Sequence, residues 1–205
     1  NQSVALAWSI RGVPPIVGLI VSDIIDNLRA ALDNAVAAIH EARTGIRDRD
    51  IKFAIDEWRE QFRRRSIAPK LQAAMPDVYA LIDASQPDGN AHHLLDILRS
   101  LSNQDKHHRL AVVSSAAMPV RIQSSSIAKV AIRNGALRLA FLDHEAVEIY
   151  RIDNLTPEHE MNVEADIEFR VAFAEERVAG LAVESTVASL IYEVADKVGS
   201  LEQLA

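Results

Sequence analysis

Pro14-Pro-Ile-Val-Gly-Leu-Ile-Val-Ser-Asp-Ile-Ile-Asp-Asn-Leu-Arg-Ala-Ala-Leu-Asp33 opens on two prolines and then sets apolar residues at three- and four-residue steps. Proline suits the first turn of a helix, where its missing N–H would have no partner. Val17, Ile20, Ile24, Leu28, Ala31, Ala35 and Ile39 fall on one stripe at 100° per residue. Asp26, Arg29 and Asp33 lie opposite, with Arg29 and Asp33 spaced for an i,i+4 ion pair. Gly45 supplies a stop. The spacing predicts a spine helix of about thirty residues.

Shorter helices are expected on either side of the prolines that follow. Trp58 and Phe62 suggest one from about Asp56 to Arg65; Val78, Leu81 and Ile82 suggest another, ended by Gln86-Pro-Asp-Gly-Asn90. Leu94, Leu98 and Leu101 form the stripe of a helix beginning near Ala91. After Pro119 the apolar period becomes 2. Asn134-Gly135 is the preferred type I′ hairpin loop, and it sets Ile132 opposite Leu137 and Val130 opposite Leu139. Val147–Ile152 and Val163–Phe173 read as further strands, and Val183, Val187, Leu190, Val194, Val198 and Leu201 as the inner face of a closing helix. The expected fold is therefore α+β: an N-terminal helical bundle on a spine helix, an antiparallel β-meander of about four strands, and a C-terminal amphipathic helix. A single composite domain, 1–205, is expected to divide into a helical part (1–118), a sheet (119–179) and the closing helix (180–205).

The 205 residues, 49% hydrophobic and 25% charged, suit an ordinary globular chain. No cysteine is present, which removes disulfides, thiolate metal sites and cysteine nucleophiles. A net charge of −7 argues against non-specific nucleic-acid binding. The apolar run Ile16–Val21 is far short of a membrane span and lacks a signal-peptide pattern, so a cytoplasmic protein without a membrane role is expected. Phosphate-cradling, dinucleotide-binding, zincin and nucleophile-elbow motifs are missing, and no cofactor is expected.

The densest polar cluster is Leu98-Arg-Ser-Leu-Ser-Asn-Gln-Asp-Lys-His-His-Arg-Leu110. Continuing the helical stripe brings Asp105 onto it, with Arg109 a turn later. A carboxylate there needs a partner, because an unpaired buried charge is very costly. The expectation is a structural polar network of Asn27, Asn103, Asp105, Lys106, His107 and Arg109, with a ligand site as the lesser reading. His92-His93 and His107-His108 lie ~22 Å apart along a continuous helix, too far to share an ion, so no metal is expected. Arg63-Arg64-Arg65 beside Trp58 and Phe62 reads as a solvated face, or as a small RNA- or partner-binding patch.

Ser22-Asp23, Asn27-Leu-Arg29, Ala31-Leu-Asp33, Gln86-Pro87 and Leu101-Ser-Asn-Gln-Asp-Lys-His107 resemble a widespread bacterial family without an assigned activity. Its members carry a "GD-x-x-HNLRSALDH" helix, a "QPY"-like loop and "L-x-x-L-x-N-x-DKHR". The resemblance covers about residues 13–112 and implies a fold, with no activity. Asp26 and Asn34 stand where that family usually has histidines, which weakens a catalytic reading. A fainter resemblance is to HEPN helical domains, some of which are metal-independent ribonucleases with an R-x4–6-H motif. Arg99 and His107 are one residue too far apart for that motif. The expected function is a non-catalytic ligand- or partner-binding domain, with homodimerisation through helices. The alternative is a HEPN-like ribonuclease using His107 with Arg99 or Lys106, and only that alternative brings RNA as a partner.

Overall fold

A computed structural model describes residues 2–8, 13–105, 112–117, 120–124, 131–134, 147–155, 161–165, 168–174 and 177–205, with side chains at 13–103, 171–174 and 177–205. The backbone separates into two compact units. One comprises Asn1–Pro15, Ala111–Ala174 and Ala179–Val183; the other comprises Ile16–Leu110, Glu175–Val178 and Glu184–Ala205.

The second unit is helical. α1 (Pro15–Thr44) is the 30-residue spine that the double proline predicts, and Gly45 stops it at φ +70°. α2 (Arg59–Arg64), α3 (Ile67–Ala74) and α4 (Pro76–Ala84) follow closely, α4 opening on a proline in its first turn. α5 (Leu94–Asp105) and α6 (Val183–Glu202) complete the set. Ile25, Leu32, Val36, Phe53, Phe62, Leu71, Ile82, Leu98 and Leu190 are buried to 0% exposure and form the core. Phe62 stacks on Tyr79 with ring centroids 5.5 Å apart.

The core face of α1 is turned from the one the spacing predicts. Val21, Ile25, Leu32, Val36 and Ile39 are buried, whereas Ile20 is 52% exposed. Apolar residues cover most of this helix's circumference, so periodicity alone leaves its rotation open. Arg29 and Asp33 decide it: they form the expected ion pair at 3.2 Å, but turn partly inward. α5 is buried on most sides rather than along one stripe, with Asp96, Ile97, Ser100 and Ser102 covered as well. Leu95, Leu98 and Leu101 are fully buried, and Leu94 only half-buried. α6 buries Val183, Val187, Leu190, Val194 and Leu201 as its pattern predicts.

The α+β expectation with a four-stranded meander is overturned. Of the residues with described side chains, 67% are helical, on six helices, with one short strand among them. In the other unit the backbone outlines β1 (Gln2–Trp8), β2 (Val112–Ala117), β3 (Val120–Ser124), β4 (Ala131–Asn134), β5 (Val147–Leu155), β6 (Met161–Ala165) and β7 (Glu168–Phe173). They do not pair in chain order as a meander must. β2 pairs with β7, β3 with β6, and β5 lies between β1 and β4, all antiparallel. Alternation marks strands but cannot name their partners, which here are mostly distant in sequence. The stretch Val163–Phe173 is two strands, and β1 has no counterpart in the expected order. Ile132 lies opposite Ile152; Val130, Leu137 and Leu139 of the expected hairpin lie outside the described residues.

Arg43 ties three elements of the helical unit. It grips the Asp77 carboxylate with two nitrogens at 2.7 and 2.8 Å and donates to the Leu204 carbonyl. The guanidinium hydrogen bonds hold the Asp77 carboxyl well below the usual carboxylate range, and hydrogen bonding to Arg63 lowers the Asp83 carboxyl as well. A depressed folded value gives stability that is present above the unfolded carboxylate value near pH ~4 and fades as pH falls below it. Arg43→Met is therefore expected to flatten the acid limb of a plot of unfolding midpoint against pH, modestly, since both partners are solvent-exposed. An acid limb identical to the parent's would contradict this.

Candidate functional site

Residues 51–56, between α1 and α2, are neither helix nor strand, yet Ile51, Phe53, Ala54, Ile55 and Asp56 are all buried. A buried irregular segment must still pair its backbone polar groups. Side chains from two helical regions satisfy several of them. Asp33 of α1 accepts from the Phe53 N–H at 3.1 Å, and Arg29 donates to the Phe53 carbonyl at 2.6 Å. From the end of α4, Gln86 accepts the Asp56 N–H at 2.8 Å and donates to the carbonyls of Ala54 (3.0 Å) and Ile82 (2.9 Å). Burial pulls the Arg29 guanidinium below its ordinary value, and Asp33 pulls it back up. These three side chains do for residues 51–56 what a neighbouring strand would do.

Gln86→Ala is expected to leave the Asp56 N–H and Ala54 carbonyl unpaired, at about 1–3 kcal/mol for each group. Chemical denaturation checks it. An unchanged midpoint would show that water can replace the amide.

Past this belt, the chain carries two charged clusters. Asp56 is held by Arg65 through two hydrogen bonds at 2.6 and 2.7 Å. Asp96 on α5, only 3% exposed, accepts from Arg99 at 2.9 Å and from Arg177 at 3.3 Å. The second arm of Arg177 reaches Glu57 at 3.1 Å. Next to Glu57, the Trp58 ring lies over a tight turn, Pro87-Asp-Gly-Asn90, closed by the Asn90 N–H to the Pro87 carbonyl at 3.1 Å. Asp88 (φ 52°) and Gly89 (φ 77°) are both left-handed, the signature of a type I′ turn. The Gly89 N–H donates to the Glu57 carbonyl at 2.7 Å, and Asp88 holds Arg59 at 3.1 Å.

The structure disperses the residues singled out from sequence. Asn27 is exposed and donates to the Asp23 carbonyl of its own helix at 2.8 Å. Asn103 is exposed on α5. Asp105 is the last residue of α5, but its side chain lies outside the described residues, as do Lys106, His107 and Arg109 entirely. Arg99 is held by Asp96. Of the basic run, Arg63 is fixed by Asp83 (2.7 Å) and Arg65 by Asp56, so two of its three charges are already neutralised. Phe62 is buried rather than displayed.

Two histidines have structural partners. His40 donates from Nδ1 to the Ile46 carbonyl at 3.0 Å. His93 accepts the Leu95 N–H at 3.2 Å and so caps α5. Among the described residues no three His, Asp or Glu side chains are grouped to hold a metal ion, and no helix is long and apolar enough to cross a membrane. Sequence reasoning missed Asp96, although its i,i+3 spacing to Arg99 was a visible signal. It also missed the role of Gln86, for which local sequence offers no signal. The chain matches no protein family, no curated protein and no solved structure.

Proposed function

We propose that this chain is a non-catalytic binding protein of the cytoplasm whose ligand is another protein. The carrying observation is the engagement of the buried and half-buried charges among the described residues. Arg29, Asp33, Asp56 and Asp96 each have a partner of opposite charge, and Arg29 and Asp33 also hold backbone. General acid–base chemistry needs a group free to reach substrate, and guanidinium-bound carboxylates are poorly suited to it. Arg99, the phosphate-stabilising residue of the ribonuclease alternative, has its Nε and Nη2 on Asp96.

The same reading extends to the resemblance. Arg29, Asp33 and Gln86 are among the residues that carry it, and all three hold residues 51–56. We take those motifs as a clamp for an irregular buried segment rather than as a catalytic signature.

The test is incubation of the purified chain with fluorescent single-stranded RNA, beside His107→Ala and Arg99→Lys. No cleavage above buffer is expected from any of them. Cleavage by the parent, lost in His107→Ala at an unchanged unfolding midpoint, would overturn the proposal in favour of the ribonuclease.

A further inference from the structure

We propose that the outward face of α6 is the docking surface and that its occupant is a cationic amphipathic helix of a partner protein, an inference that rests on the binding-domain reading above. α6 is apolar on two sides. Its inner stripe is buried, whereas Ala188, Ile191, Tyr192 and Ala195 follow the i, i+3, i+4, i+7 pattern on the outside and are all exposed. Ile191 is 45% and Tyr192 78% exposed. A helix that needs only one buried side has no use for a second apolar stripe.

Gly199 lies on the same outer line. A Cβ added there would meet nothing within 4 Å among the described residues, so no close approach by them calls for glycine. Glycine weakens a helix interior. A flat spot beside two bulky side chains suits a second helix approaching closely.

Charge selects the occupant. Exposed Glu184 and Glu202 bracket this face, about 18 residues or ~27 Å apart along the helix. Asp196 lines one edge. The single basic residue of α6, Lys197, is held by Asp196 at 3.2 Å and Glu193 at 3.4 Å. Glu184 sits at the favourable positive end of the helix dipole, but Glu202 sits at the negative end, where α6 has no basic residue. Arg43 reaches the Leu204 carbonyl just past that end but is engaged by Asp77, so an external cation at Glu202 would relieve the misfit further. A second copy of α6 would not: run parallel it sets Glu184 against Glu184, and run antiparallel it sets Glu184 near Glu202. Like charges facing across an interface oppose association. A helix with apolar residues between terminal lysines or arginines at matching separation meets both glutamates and the stripe.

The test uses the full chain and a fluorescein-labelled helical peptide of leucine and alanine with lysines at both ends, against the same peptide carrying glutamates, read by fluorescence polarisation. Saturable binding of the lysine peptide is expected, with little binding of the glutamate peptide. Tyr192→Ser should weaken it by at least about tenfold, as a central aromatic anchor does. The double variant Glu184→Gln/Glu202→Gln should weaken it several-fold and reduce its salt dependence. All these side chains are exposed, so unfolding midpoints should stay at the parent value. Equal binding of the two peptides, undiminished binding to Tyr192→Ser, or no binding of the lysine peptide would overturn the proposal. If the lysine peptide fails to bind and sedimentation shows a dimer that Tyr192→Ser abolishes, the face belongs to a second copy; the partner class then falls while the binding-domain reading stands. RNA cleavage lost in His107→Ala would instead remove the reading beneath both.

Discussion

Asp96→Ala is expected to lose about 3 kcal/mol of stability, near the lower end of the range for breaking a buried ion pair. Asp96 is 3% exposed and receives both Arg99 and Arg177. Removing it strands Arg99, whose side chain is only 21% exposed. Arg177 suffers less, because it is 46% exposed and keeps Glu57. That asymmetry places the effect low in the range. Such a loss is a large part of the 5–15 kcal/mol that holds a typical domain together. Asp96→Asn should recover part of it, since the amide oxygen still accepts from one guanidinium. Denaturant midpoints of the two variants check this: equal midpoints for Asp96→Ala and the parent would show that water and neighbouring groups neutralise Arg99 without the carboxylate.

The second large effect is expected at Gly89. Its φ of 77° suits glycine, and an L-residue held in left-handed backbone costs about 1–2 kcal/mol. A Cβ at this position would also stand 2.2 Å from Cη2 and 2.5 Å from Cζ2 of Trp58, far inside contact distance. Either the ring leaves the turn or the turn opens, which endangers the Gly89 N–H bond to the Glu57 carbonyl. Gly89→Ala should therefore lose more than the backbone term alone and shift tryptophan emission to the red as Trp58 gains water. Gly45→Ala is the control, because that glycine is also left-handed but a Cβ there meets nothing within 4 Å. If the two alanine variants lose the same stability and neither moves the emission, the Trp58 contact contributes nothing.

What was legible in the sequence was what local chemistry decides. Two prolines, the long apolar pattern and Gly45 place α1 within a residue of its observed ends. The inner stripe of α6 and the loop at 86–90 were equally readable, because caps, turn residues and a one-sided pattern act on their own neighbourhood. The rotation of α1 was not readable. It depends on Arg29 and Asp33 reaching Phe53, twenty or more residues away, and a helix with apolar residues around most of its circumference offers no clear local vote on which side faces inward. For the same reason alternation does not disclose the nested partners of the strands; it also gives no strand at β1, β2 or β3 and runs β6 and β7 together.

The candidate site was legible as a kind of chemistry and misplaced as a location. A carboxylate buried on α5 was expected from the polar cluster at its end, and the one found among the described side chains is Asp96, nine residues earlier. Asp96 lies off the leucine stripe and is buried because α5 is covered on most sides, Ser100 and Ser102 included, which a one-stripe reading does not foresee. The tie from Gln86 to Ala54 and Asp56 spans some thirty residues, and no spacing rule foretells it.

Asp33 and Gln86 act as fasteners for the backbone of residues 51–56. Native-state hydrogen exchange at the amides of Phe53 and Asp56, in the parent and in Gln86→Ala, tests this most directly. Both amides should be protected in the parent, and Gln86→Ala should speed exchange at Asp56 far more than at Phe53, whose acceptor is Asp33. Exchange of both amides in the parent at the rate of an open loop would contradict it.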